Sequence, residues 1–140
     1  MSKHFDMISE LNSRFDEVAE TPIGDNEKDK LLISELLIHG SDLSNATRPY
    51  NILHKWAKYV NQEFTLQTEA EKRLYLPVTE YMLRLDEDIV FYKNEMGFNK
   101  FFIKPLWTCM NRWLNPHISF MMDNLENNIN TFQEEYEKLK

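Results

Sequence analysis

An all-α fold, a single helical bundle, is what the sequence predicts, and three observations carry it. Only three glycines and five prolines punctuate the 140 residues, too few for a turn-dense β fold. Apolar residues recur at steps of three and four, the period of a helix with one buried face. With 42% hydrophobic and 13% aromatic residues, the chain also has the material for one compact core.

The first expected helix starts at Ser2, a residue able to cap it, and its buried stripe is Phe5, Ile8, Leu11, Phe15 and Val18. TPIGDN, residues 21–26, ends it. Asp25 or Asn26 can cap a second helix, whose Leu31, Leu32, Leu36 and Leu37 lead into His39, with Gly40 a weak point near its end. Thr47 and Pro49 mark a new start, because proline is best tolerated in a first turn, where its missing N–H costs nothing. The third helix carries the stripe Ile52, Trp56, Val60 and Phe64, continues through QTEAEKR and breaks at the loop LYLPVTEYM. From about Asp88 a long aromatic helix follows, expected to kink at Pro105. In the last helix Ile118, Met122, Leu125, Ile129, Phe132, Tyr136 and Leu139 form a heptad-like seam, too short to claim a coiled coil.

A net charge of −7 and a pI near 5.1 argue against general nucleic-acid or anionic-membrane binding, which need a basic surface. Cys109 is the only cysteine, so no intrachain disulfide can form, and a cytoplasmic setting is expected. No signal peptide is visible. The richest late stretch, NKFFIKPLWTCMNRWL, is interrupted by Lys104, Pro105, Asn111 and Arg112, so no transmembrane segment is expected.

One polar cluster interrupts this pattern. His39, Asp42 and Asn45 follow the most apolar stretch at three-residue steps and share a helix face if the helix continues through Gly40. Imidazole and carboxylate are ordinary ligands for zinc, but a catalytic zinc takes about three protein ligands and a structural one about four. The plainer alternative is that Asp42 and Ser44 cap a helix and Asn45 sits in a turn. His4, His54 and His117 do not complete a site by spacing and are expected at the surface or at helix ends. No His-Asp dipeptide, HExxH, GxxxxGK[ST] or GxSxG occurs.

Five stretches in order carry a resemblance. MSKHF resembles a TDMSKH segment, LLIHGSDLSNATRPY a metal helix hxHxADLSNPx(R/K)P, and HKWAKYVNQEFTLQTEAEK a W…EEFxxQGDxE helix. LPVTEYM resembles an LPxSPxxD loop and EMGFNKFFIKPLW the segment QxGFIxFIxxPLW. Together they are similar to the C-terminal half of the catalytic domain of class I 3′,5′-cyclic-nucleotide phosphodiesterases, across nearly the whole chain. The resemblance implies hydrolysis of cAMP or cGMP to the 5′-monophosphate, using two divalent metals, zinc with magnesium or manganese. It makes Asp42 a metal ligand, puts His39 and Asn45 along the same pocket, and turns Met1 toward the metal side. Leu43, Trp56, Ala57, Val60 and Phe64 match the nucleotide pocket wall. Phe98 matches the phenylalanine that stacks on the purine.

Departures from the pattern are informative. Glu95 stands where the family usually has glutamine. An ionised glutamate only accepts hydrogen bonds, so it would favour guanine, unless it is a surface residue beside a site that has decayed. Thr79-Glu80 replaces SP, leaving either Tyr81 or Met82 to fill a wall position. Thr68 replaces a glycine in the QGD turn. The family's HNxxHxxD and HDxxHxxxxN patterns, which supply the proton-donating histidine and the other metal ligands, are absent. Residues 1–140 are therefore expected to be the second half of a catalytic domain, with no catalytic residue of their own and inactive alone. The expected partners are a cyclic nucleotide, the missing N-terminal half and another chain, which makes self-association an expectation too. The alternative is a non-catalytic helical protein that binds a nucleotide or a partner helix, for which the heptad-like last helix speaks.

Overall fold

The computed structural model describes residues 3–17, 23–24 and 26–140. Ser2, Val18 and Asp25 lie outside the described residues, and so does Met1. Among these residues six α-helices carry the fold: α1 (His4–Asp16), α2 (Glu27–Asp42), α3 (Tyr50–Arg73), α4 (Asp88–Phe98), α5 (Lys104–Leu114) and α6 (Ser119–Lys138). Short 3₁₀ turns at Ser44–Thr47 and Glu80–Met82 flank α3. No strand occurs among the described residues, and none of their helices is long and apolar enough to cross a membrane.

In α1, Ile8 and Leu11 are buried as the period requires, but Phe5 is 52% exposed. The buried residue of that turn is its neighbour His4, 3% exposed, against the expectation of a surface histidine. Asn26 caps α2 by accepting a hydrogen bond from the Asp29 N–H at 2.8 Å. Leu32 and Leu36 enter the core, whereas Leu31 and Leu37 face outward. Gly40 does not weaken the end of α2. It lies inside the helix and is buried against α5, where a Cβ would collide with the side chain of Met110.

On α3 the residues that enter the core are Leu53, Ala57 and Thr68. The stripe read from the sequence lies one residue around the helix, and Trp56 there is 54% exposed. Thr68 is not in a turn. It is part of α3, and its hydroxyl donates to the carbonyls of Phe64 at 2.8 Å and Met82 at 3.3 Å. That contact ties the loop after α3 back onto the helix.

The expected kink at Pro105 is a π segment, Asn99–Ile103, inserted between α4 and α5. Pro105 has no N–H to give the Phe101 carbonyl, and at the residue just before it the ladder widens so that the Lys104 N–H reaches the Asn99 carbonyl. The break therefore precedes the proline, which sits in the first turn of α5. Buried Asn99 supports this transition by donating from Nδ2 to the Glu95 carbonyl at 2.8 Å.

Two apolar clusters form the core. One joins Ile8 and Leu11 of α1, Leu36 of α2, Leu106 and Met110 of α5, and Leu125 and Ile129 of α6. The other joins Leu53 and Ala57 of α3, Phe91 of α4 and Phe132 of α6. The heptad-like seam of α6 thus spends its centre inside this molecule, and only its ends, such as Leu139, are open. Burial on this scale contributes roughly 1.5–3 kcal/mol for each fully enclosed side chain.

Candidate functional site

A cleft of about 1190 Å³ opens between the end of α2, α3, α4 and the π segment. Its contributors come from residues far apart in sequence. Asp42 ends α2, Leu43 joins it to the 3₁₀ turn, and Asn45 lies within that turn. Trp56, Ala57, Val60 and Phe64 form the α3 wall together with Ile52, which explains why that stripe is not in the core. Glu95 and Phe98, three apart on α4, face into the same space. Tyr81 lines it as well, whereas Met82 does not and only offers its carbonyl to Thr68.

The turn that carries Asn45 is held from below. Asn128 of α6, fully buried, donates from Nδ2 to the carbonyls of Ala46 at 2.9 Å and Arg48 at 2.8 Å. Asn124 donates to the Thr47 carbonyl at 3.0 Å. A buried carbonyl without such a donor would be costly, so these amides fix the turn.

His39 is not among the lining residues. Its ring meets His4, with Nε2 2.8 Å from His4 Nδ1. The other His4 nitrogen, Nε2, lies 3.1 Å from the Phe102 carbonyl, which can only accept. In the neutral pair His4 therefore donates to Phe102, and its Nδ1 accepts from His39. Burial, then the adjacent His39, hold His4 below its ordinary value, against the bond to Phe102. The pair pins α1 and α2 to the π segment, whose Phe101 and Phe102 line the cleft.

Phe98 stacks on Phe102, with centroids 5.7 Å apart and planes at 26°. That arrangement fixes one ring and leaves an aromatic wall beside Glu95. Burial pushes the Glu95 carboxyl up to about 7, with Lys58 opposing only in part. No hydrogen bond or ion pair ties that carboxyl to another described residue. At neutral pH it is divided between a form that only accepts and a form that both donates and accepts.

Sequence reasoning missed several of these residues. Arg48 and Lys93 bring positive charge to the cleft, balancing Asp42 and Glu95. Phe101 and Phe102 follow Phe98 at helical spacing, and that spacing could have found them. Nothing in the pattern marked Asn128 or His4.

The family described as 3′5′-cyclic nucleotide phosphodiesterase matches residues 1–125. The chain belongs to that family. A 3′,5′-cyclic-AMP phosphodiesterase of Drosophila melanogaster (isoform F) is 28% identical over 137 residues, covering 95% of this chain and 20% of that protein. The phosphodiesterase domain of the Salpingoeca rosetta rhodopsin phosphodiesterase shares the fold, with a TM-score of 0.89 and 24% identity over 99% of this chain and 42% of that one. LmjPDEB1, solved in complex with IBMX, superposes with a TM-score of 0.78 and 28% identity, over 96% of this chain and 39% of that one. The chain thus spans about a fifth of that Drosophila phosphodiesterase and less than half of either phosphodiesterase structure.

Divalent metals go with the phosphodiesterase family, and the described residues do not by themselves fit them. No group of three or more His, Cys, Asp or Glu converges among these residues. Asp42 is exposed at the end of α2, and His39 Nε2 is engaged with His4.

Proposed function

We propose that residues 1–140 are the nucleotide-holding half of a cyclic-nucleotide phosphodiesterase catalytic domain that works in the cytoplasm. Phe98 offers the ring face for a purine, Glu95 meets the base edge, and Trp56, Val60 and Phe64 form the opposing apolar wall. Asp42 and Asn45, at the other end of the cleft, face the phosphate side. Asp42 contributes one carboxylate to a metal site, zinc with magnesium or manganese, whose other ligands come from the N-terminal half of the domain. What supports the reading is that a single cleft runs from Asp42 to Glu95 and Phe98. This chain binds and orients the nucleotide and shields the base from water. The proton donor and the bridging metal ligand lie elsewhere.

Equilibrium dialysis of cAMP and cGMP against the chain tests the pocket. Phe98→Ala is expected to lower affinity about tenfold, the range for losing one base–aromatic stack, with helix content by circular dichroism unchanged. Unaltered affinity would sink the base clamp. In parallel, the chain with zinc and magnesium is expected to give no turnover. Hydrolysis that Asp42→Ala abolishes would show instead that it assembles a complete site.

A further inference from the structure

Glu95 is a carboxyl lodged in an aromatic-walled cleft with no bonded partner among the described residues. Its hydrogen-bonding character toward a ligand is therefore set by its own proton. We infer that Glu95 makes purine selection depend on pH, accepting both adenine and guanine nucleotides when protonated and discriminating for guanine when ionised. This rests on the reading of the cleft as a nucleotide pocket and goes beyond it.

Donor and acceptor patterns decide the preference. Adenine presents the N6 amine as donor beside the N1 acceptor, and guanine presents the N1–H and N2 amine as adjacent donors with O6 as acceptor. A neutral carboxylic acid offers one O–H and one C=O. It satisfies adenine through N1 and N6, and guanine through O6 and N1–H. A carboxylate offers two acceptors, which match the adjacent guanine donors and set a negative oxygen against adenine N1. Ionisation thus leaves guanine well paired and adenine badly paired, in a half-buried site where an unmatched polar contact weighs more than it does in water.

The surroundings favour Glu95 as the group that changes. From α3 come Lys58, whose charge favours the carboxylate, and Tyr50, whose hydroxyl stays neutral because burial raises it to about 12. Tyr81, from the turn before α4, is likewise raised by burial, with Glu95 as the second cause. Lys58 is partly engaged, 3.1 Å from Asp88 and 3.9 Å from the Phe91 ring centroid. On the α6 side Glu135 acts on Tyr50 and Tyr92, and Lys93, Asp42 and Arg48 line the cleft itself. His54, one turn before Lys58 on α3, is a further titratable group on this side, held below its ordinary value by burial and then by Lys58.

The test is equilibrium binding of cAMP and cGMP at pH 6 and pH 8, with the parent chain and Glu95→Gln. The parent should gain about tenfold in preference for cGMP between the two pH values, mostly through weaker cAMP binding. Glu95→Gln should bind both nucleotides with a ratio that does not move. A parent that binds with a constant ratio would overturn this inference and leave the pocket reading standing. A pH-dependent ratio that persists in Glu95→Gln would overturn it as well and point to His54. No binding of either nucleotide at either pH would overturn the pocket reading itself.

Discussion

A glutamate half-buried beside Phe98 costs the fold something that a glutamine in its place would not. Its carboxyl titrates at about 7 in the folded protein, against an ordinary value of 4.5. Between those values the folded chain keeps a proton that the unfolded chain has released. Stability therefore falls as pH rises from 4.5 through 7, and the full cost is present above that window. Each tenfold change in proton affinity corresponds to about 1.4 kcal/mol, which sets an upper bound of roughly 3.5 kcal/mol, and solvent screening of this partly exposed carboxyl brings the cost to roughly 1–3 kcal/mol. Glu95→Gln is expected to raise unfolding free energy by that amount at pH 8 and to leave it nearly unchanged at pH 4.5. Urea denaturation at the two pH values measures this. Equal effects at both would mean that the gain is not one of ionisation.

At the scale of elements, α1 is attached through a histidine whose charge the site resists. His4 is held below its ordinary 6.5 by burial and by His39, so acid favours the unfolded chain, which takes up the proton first. That part of the stability is complete above 6.5 and drains away as pH falls through the lower folded value. His4→Phe should therefore be less stable than the parent at pH 7.5 by about 1–2 kcal/mol, through the lost bond to the Phe102 carbonyl. It should also flatten the parent's decline as pH falls below 6.5. Thermal melts across that range decide it, and an undiminished decline would assign the acid sensitivity to His54. The same residues show what the sequence could reveal. Periodicity found the α1 stripe through Ile8 and Leu11 but placed Phe5 inside, because a one-sided pattern cannot register a buried imidazole with two hydrogen-bonding partners. Likewise Ile52, Trp56, Val60 and Phe64 were legible as an apolar face. That the face borders a cleft rather than the core is decided by what packs opposite it, which α3 alone does not encode. The matched family segments supplied that information for Asp42, Asn45, Glu95 and Phe98, whereas the π segment before Pro105 depends on a ladder shift that composition does not signal.

At the scale of the whole molecule, the cleft exists only because distant parts of the chain hold it open. Its walls run from Asp42 to Phe102, and the turn bearing Asn45 is anchored by Asn128 to α6, some eighty residues further along the chain. That asparagine lies on the apolar face of α6 between Leu125 and Ile129, a place where a purely structural helix would carry another aliphatic residue. Asn128→Ala removes the donor to two carbonyls, those of Ala46 and Arg48. With unsatisfied buried groups costing about 1–3 kcal/mol each, a loss of roughly 2–4 kcal/mol in unfolding free energy is expected. The consequence reaches the ligand too, because a loosened turn no longer presents Asn45 and Arg48 in a fixed position and part of the binding energy goes into ordering them. Affinity for cyclic nucleotides should fall several-fold, although Asn128 does not line the cleft. Urea melts and dialysis on the same variant separate the two effects. A destabilised variant with parental affinity would show that the turn keeps its shape without α6, and that α6 serves the core alone.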